Sequence, residues 1–456
     1  MPVNELARTT ISGWGRYPKL ETLLRRPDSL ASLQDQLADS GTHSSIARGL
    51  GRSYGDTAVN PFGQTILMQG LNRILGFDET TGTLCCEAGV TLEQIIDRFL
   101  PRGWFLHVVP GTKYVTLGGA IANDIHGKNH YCDGTFCQAV KSFKLLCANG
   151  QIVNCSCADN SDIYWATIGG MGLTGVITQV ELVLRRVPSA YINSFTVKAK
   201  DLDGTLAAFE NFESDYQYTA AWIDCLGSNR SLGRSIIFFG NHAQMNDLPA
   251  QQRLSPFYLP INAQYEMTFD LPNRFLNRYS IATFNKLYWL MHQAKPEKSL
   301  VNCLKFFFPL DRLQSWNRLY GRKGFIQYQC VLPWAVGRES LLRILQLQAD
   351  ENQEVFLAVL KRLGDEHGFL SFPKKGYTLA IDLPVSDSLL PFIARLNQIV
   401  TESGGRVYLA KDAYMKPDEF RSMYPHYPQW RSIKNQIDPE NLFRSALSDR
   451  LQLGFE

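Results

Sequence analysis

The run Ala47-Arg-Gly-Leu-Gly-Arg-Ser-Tyr-Gly-Asp56 has the residue types needed to hold an anion against the backbone. Closely spaced Gly49, Gly51 and Gly55 let successive N–H groups turn inward as a nest suited to a pyrophosphate. Arg48, Arg52 and the Ser53 hydroxyl offer further charge and donors. A second run, from Pro110 to His130, contains Gly118, Gly119, Ala120 and Ala122, a set too small and flexible to be explained by core packing alone. It implies a bulky planar or phosphorylated group lying on the main chain. A third, Trp165-Ala-Thr-Ile-Gly-Gly-Met-Gly-Leu-Thr-Gly175, repeats that chemistry.

Two standard nucleotide motifs are excluded for the first loop. No G-x-x-x-x-G-K-[ST] occurs, and Gly49-x-Gly51 lacks the third glycine and the ribose-binding acid of a Rossmann fingerprint. His126, His130, Cys132 and Cys137 superficially offer four zinc ligands as H-x3-H-x-C-x4-C. Zinc sites use tighter Cys pairs or well-separated pairs, and this run is embedded in the second glycine-rich segment, so no metal is expected. A serine hydrolase is not expected: the G-x-S-x-G match at Gly51 to Gly55 belongs to the first glycine-rich loop.

Short strands and helices must position these loops. Leu84 to Gly89 reads as a strand running into Thr91-Leu-Glu-Gln94, a capping box for a helix ending near Pro101. Lys144 to Ala148 and Gln151 to Cys155 flank Asn149-Gly150, the dipeptide favoured in two-residue type I′ hairpins. Val176 to Leu184 alternates as a half-buried strand. Beyond Val187 and Pro188 the character changes, and a domain boundary is expected there. The remainder reads as an irregular segment from His242 to Asn273, a helical pattern from Glu339 to Leu363, and strands at Phe325 to Leu332 and Tyr377 to Leu383.

A chain of 456 residues favours two domains with a cleft between them. With 45% apolar and 20% charged residues it has the composition of an ordered globular protein, and a net charge of +3 from scattered Lys and Arg gives no nucleic-acid footprint. Ten cysteines in apolar, strand-like contexts suit reduced thiols in the cytoplasm. No secretory leader and no apolar run of about 20 residues is read, so any membrane association is expected to be peripheral.

The motifs IARGLGRSYGD, PGTKYVTLGGAIANDIHGKNH and WATIGGMGLTG resemble the cofactor domain of the vanillyl-alcohol-oxidase (PCMH-type) family of FAD flavoproteins. SGWGR, SLGRS, WNRLYG, GFIQYQ, LSFP and YLAKD extend the likeness over nearly the whole chain, toward family members acting on polyprenyl-phosphoryl ribose. The resemblance implies an α+β, two-domain flavoprotein. Residues 1–187 would form an FAD-binding domain of two small α/β subdomains, 188–405 a substrate domain on an antiparallel sheet, and 406–456 a segment returning to the FAD domain.

By the same resemblance FAD would contact Ala47, Arg48, Gly49, Leu50, Gly51, Arg52, Ser53, Tyr54, Gly55, Asp56 and Thr57 of the first loop. It would continue along Gly111, Thr116, Leu117, Gly118, Gly119, Asn123, Asp124, Ile125 and His126, with Ile177 and Tyr408 beside it. Arg52 stands where some relatives carry a flavin-linked His, so the cofactor is expected to be non-covalent. Lys411 and His126 would be catalytic, and Tyr54, Lys128, Trp222, Gln327, Gln329, Lys361 and Lys411 would bind substrate. Gln327 and Gln329 are two apart and share a sheet face, which suits sugar hydroxyls. Ala380 replaces a Cys of some relatives, and Phe307 a Tyr expected at the pocket rim.

The implied reaction is oxidation of the 2-hydroxyl of a polyprenyl-phosphoryl ribose to the 2-keto sugar. It would be the first half of an epimerisation toward arabinose of a cell-wall polysaccharide, with a short-chain-dehydrogenase-type keto reductase as partner. The expected location is cytoplasmic, with peripheral contact at the inner membrane face. Oxidation of a small soluble sugar, alditol or aldonolactone is the alternative within the same chemistry. A non-catalytic flavin-binding electron-transfer partner is the alternative outside it, and the presence of both Lys411 and His126 argues against it.

Overall fold

The computed structural model describes residues 8–39, 43–227, 231–260, 264–273 and 275–454. The first seven residues, on which part of the leader reading falls, and residues 261–263 of the expected irregular segment lie outside these. Strands β1 (Arg8–Ser12), β2 (Lys19–Arg25), β3 (Ser45–Arg48) and β4 (Gln64–Leu67) form a sheet in the order β1-β2-β4-β3. In it β2 and β3 run parallel to β4, and β1 antiparallel to β2. Next come β5 (Ile74–Asp78), β6 (Thr83–Glu87), the two-residue β7 (Trp104–Phe105), β8 (Val140–Leu146), β9 (Ile152–Ser156), β10 (Val176–Val183) and β11 (Arg185–Arg186). Five of them make an antiparallel sheet, β5-β6-β10-β8-β9, while β7 and β11 pair separately.

The strand-to-helix unit after β6 forms as its capping box requires. Gln94 N donates to Thr91 Oγ1 at 3.1 Å and Thr91 N donates to Gln94 Oε1 at 2.9 Å, opening the helix Leu92–Phe99. The β8–β9 hairpin departs from expectation. Only Gly150 takes a positive φ (79°), and Gly150 N bonds to Cys147 O while Cys147 N bonds to Gln151 O. The loop therefore spans three residues closed by a left-handed glycine, not a type I′ turn, which needs positive φ at both central positions.

The rest of the chain supplies β12 (Tyr191–Ala199), β13 (Tyr218–Ile223), β14 (Ser235–His242), β15 (Tyr265–Glu266), β16 (Lys298–Asn302), β17 (Leu313–Gln314), β18 (Phe325–Pro333), β19 (Ala358–Leu363), β20 (Gly376–Pro384) and β21 (Arg406–Val407). Eight form an antiparallel sheet in the order β16-β12-β14-β13-β19-β20-β18-β21, and β15 pairs with β17. The expected helix Glu339–Leu363 is corrected. The helix runs Trp334–Asp350, the chain reverses at Asn352 (φ 53°), and residues 358–363 are β19, inserted between β13 and β20. Strand pairing on both sides overrides the local helical pattern.

Alternation along these strands divides the sheet. Ile326, Tyr328, Cys330 and Leu332 pack with Leu341, Ile344 and Leu345 of helix Trp334–Asp350 and with Leu396 and Val400 of helix Leu389–Glu402. Each such fully buried aliphatic side chain contributes roughly 1.5–3 kcal/mol. The intervening residues are left to face the other side, toward the two smaller sheets.

Candidate active site

A cleft runs between that second face and the glycine-rich loops. Its lining joins Ala47 to Tyr54, from the end of β3 onward, with Gly111, Thr116, Gly118, Gly119, Asn123, Ile125 and His126, Ile177 of β10, Gln327 and Gln329 of β18, Lys361 of β19, Ala380 of β20, and Tyr408, Ala410 and Lys411 after β21. Two backbone bonds lace the late segment to the early loop and to β18. Tyr54 N donates to Ala410 O at 3.0 Å, and Tyr408 N donates to Gln329 O at 2.9 Å. Thr57 Oγ1 adds a bond to Leu409 O at 3.3 Å.

The glycines are required by space. A Cβ on Gly49 would sit 2.2 Å from Thr116 Oγ1, and Gly51 has φ 64°, a conformation a side chain disfavours. Arg48 was expected to lend charge to a pyrophosphate, but Nη1 and Nη2 donate to Ala58 O at 3.2 Å and Ser12 O at 2.6 Å. Its guanidinium therefore braces the loop, and burial lowers its pKa to about 10. Arg52 lies 3.8 Å from the centroid of the Trp14 ring and lines the cleft.

Buried Arg52 Nε, Asn123 Oδ1 and His126 Nδ1 find no hydrogen-bond partner among the described residues, and all three residues line the cleft. Orphaned donors and acceptors in a glycine-walled cleft fit a ligand that is flat, polar and phosphorylated, as FAD is.

Most expected cofactor residues reach the cleft. The exceptions are Gly55, Asp56, Leu117 and Asp124. Gly55 lies where a Cβ would meet Asp412 O at 1.8 Å, and Leu117 is fully buried in the core beneath the loop. Asp56 is held by Arg450, and Asp124 accepts from Ser371 Oγ at 2.5 Å. These residues hold the walls without facing the cleft.

The polar end of the cleft collects the reactive groups. Gln329 Nε2 donates to His126 Nε2 at 2.8 Å and to Thr378 Oγ1 at 3.1 Å, so His126 carries its proton on Nδ1. Burial, reinforced by Lys361, His130 and Lys411, holds that imidazole well below its usual pKa and therefore neutral. Lys411 Nζ lies 3.7 Å from the Tyr54 ring centroid. Burial lowers Lys411 to about 7, with Asp382 opposing and Lys361 assisting, and burial brings Lys361 itself to about 8. Tyr408 stacks on Phe372 at 4.7 Å and its hydroxyl donates to Asn123 O at 2.7 Å.

Three expected substrate-side residues stand outside the lining. Lys128 Nζ donates to Phe306 O at 3.1 Å and Phe307 O at 2.7 Å. Trp222 packs on Tyr288 at 4.9 Å, one strand beyond Val359, which does line the cleft. Phe307 is not at the rim: it is fully buried, 4.7 Å from the Tyr218 ring and 5.5 Å from Phe105.

Asp382 is the residue that sequence reading passed over. It is fully buried, accepts from Gln327 Nε2 at 2.6 Å and Tyr320 Oη at 2.9 Å, and burial raises its pKa to about 7. The period of two from Ala380 put it on the cleft face, so the signal was present. Asp311, Trp14 and Trp316 line the cleft and have no comparable local signal. His130, one of the four zinc-like residues, accepts from Gly364 N at 2.9 Å, and no cluster suited to a metal exists among the described residues.

Comparison with known proteins agrees with this geometry. A family model described as FAD binding domain matches residues 23–156, and one described as D-arabinono-1,4-lactone oxidase matches residues 329–451. The chain is 36% identical to decaprenylphosphoryl-beta-D-ribose oxidase of Mycolicibacterium smegmatis, over 99% of this chain and all of that one. It is 22% identical to L-gulono-1,4-lactone dehydrogenase of Mycobacterium tuberculosis over 96% of this chain and 98% of the other. Identity to L-gulonolactone oxidase of Bos taurus is 24%, over 96% and 97%.

Proposed function

The chain belongs to the FAD-dependent sugar oxidoreductase family that includes decaprenylphosphoryl-beta-D-ribose oxidase and, more distantly, the sugar-lactone oxidases, and on that premise we propose that it oxidises the 2-hydroxyl of a polyprenyl-phosphoryl ribose to the 2-keto sugar. The observation that carries the reading is the 36% identity over the full length, which takes in the substrate-side sheet as well as the FAD loops. A keto reductase would then complete an epimerisation. Domain limits of 1–187, 188–405 and 406–456, and a dissociable FAD with Arg52 in place of a flavin-linked histidine, belong to the same proposal.

When bound, FAD supplies the acceptor for the hydride leaving the carbinol carbon. The chain's own groups manage the proton and the orientation. Lys411, neutral in part because it is buried, takes the hydroxyl proton. Neutral His126 offers Nδ1–H to a sugar oxygen. Gln327 is fixed by Asp382 and Gln329 by Thr378, so both amides are pre-oriented toward ribose hydroxyls. Leu357, Val359 and Ala380 form the apolar part of the wall and exclude water.

Oxidation of a sugar lactone or alditol is the second reading, favoured by the lactone-oxidase model over residues 329–451. Anaerobic titration separates them: polyprenyl-phosphoryl ribose should bleach the yellow protein. Bleaching by free alditols or lactones with none by the lipid-linked sugar would replace the first reading with the second.

A further inference from the structure

The helix Arg278–Gln293 has a covered inner side and an apolar outer arc that is largely exposed. Its inner side carries Ile281, Asn285, Tyr288 and His292; Tyr288 packs on Trp222 at 4.9 Å and Asn285 Nδ2 donates to Asp224 at 2.7 Å. Its outer side carries Tyr279, Phe284, Leu287, Leu290 and Met291, with Tyr279 84% and Leu287 61% exposed. At about 100° per residue these five fall within an arc of roughly 140° opposite the buried one. A surface helix of a globular protein ordinarily turns a polar face to water, and contiguous exposed apolar side chains mark an interaction surface.

The charge around this face selects its occupant. The helix contains Arg278 and Lys286 and no Asp or Glu, and Lys295 and Lys298 come after it against the single Glu297. Asp270, upstream, is already neutralised by Arg16 and Arg318. Apolar side chains flanked by cations are the pattern of a helix lying in the plane of an anionic lipid surface. The helix also sits beside the cleft, because Trp222 pairs with Val359 and Phe284 packs on Phe356, next to Leu357 of the wall.

We propose that the outer face of helix Arg278–Gln293 docks the protein on an anionic phospholipid bilayer, holding the cleft at the lipid surface. The inference rests on the lipid-linked-substrate reading for its purpose, but the surface itself is tested without any substrate. Flavin-loaded wild-type protein is sedimented with vesicles of phosphatidylcholine and phosphatidylglycerol, and with vesicles of phosphatidylcholine alone. Wild type should partition onto the mixed vesicles, and Leu287→Gln combined with Leu290→Gln, which keeps helix propensity, should lower that partition roughly tenfold or more. Lys286→Glu should weaken binding to the mixed vesicles on the order of tenfold and leave binding to phosphatidylcholine nearly unchanged. Unaltered flavin content and thermal midpoint confirm that the variants are folded.

Absence of wild-type binding, or equal binding by wild type and the double variant, overturns the proposal whatever the substrate proves to be. A concentration-dependent dimer abolished by the double variant, with no vesicle binding, assigns the face to a second copy of the chain and overturns it as well. Conversely, vesicle binding with no bleaching by the lipid-linked sugar leaves the docking surface standing and removes only the substrate reading.

Discussion

Lys411 lines the cleft and Asp382 lies buried behind Gln327, and burial pushes both toward neutrality: the lysine falls to about 7 and the carboxyl rises to about 7. If neutral Lys411 takes the hydroxyl proton, flavin reduction in stopped flow should rise about tenfold per pH unit below roughly pH 7 and level above it. Lys411→Ala should keep FAD and slow reduction on the order of 10²; unchanged reduction removes Lys411 from the mechanism. Asp382 raises the lysine's pKa, so Asp382→Asn should move the inflection to lower pH, since that carboxylate no longer favours the ammonium. An inflection that stays in place would leave Asp382 only the work of fixing Gln327.

At the scale of elements, the walls of the cleft depend on close backbone approach. Gly55→Ala would drive a Cβ against Asp412 O, a backbone atom that cannot swing aside, so the loop and the late segment must separate. Roughly 1–3 kcal/mol of stability should be lost, read as a lower thermal midpoint together with weaker flavin retention. Gly111→Ala, where a Cβ meets nothing within 4 Å of protein, should leave the midpoint in place.

Legibility in the sequence divides along the same line, between local and distant partners. The glycine loops, the Thr91–Gln94 capping box and the paired amides Gln327 and Gln329 are legible because their chemistry is local in the chain. The β8–β9 loop differs from expectation because Asn-Gly serves two turn types, and β19 reads locally as helix because its strand partners, β13 and β20, lie elsewhere in the sequence. The bracing role of Arg48 is illegible for a related reason. Its partners Ser12 and Ala58 are brought to it only by the fold.

For the whole molecule, the cleft is closed by residues from both ends of the chain. Arg450 donates to Asp56 at 2.9 Å and to Asp412 at 2.8 Å, joining the helix Ala446–Leu451 to the early loop and to the late segment. Arg450→Met should cost about 3 kcal/mol, because two buried carboxylates lose their common partner. Chemical denaturation should read that loss, and the further replacement of Asp56 and Asp412 by Asn should recover part of it. The clamp also orders events during synthesis. The loop around Arg52 is made long before Lys411 and Arg450, so both walls of the cleft can meet only after the helix Ala446–Leu451 has been translated.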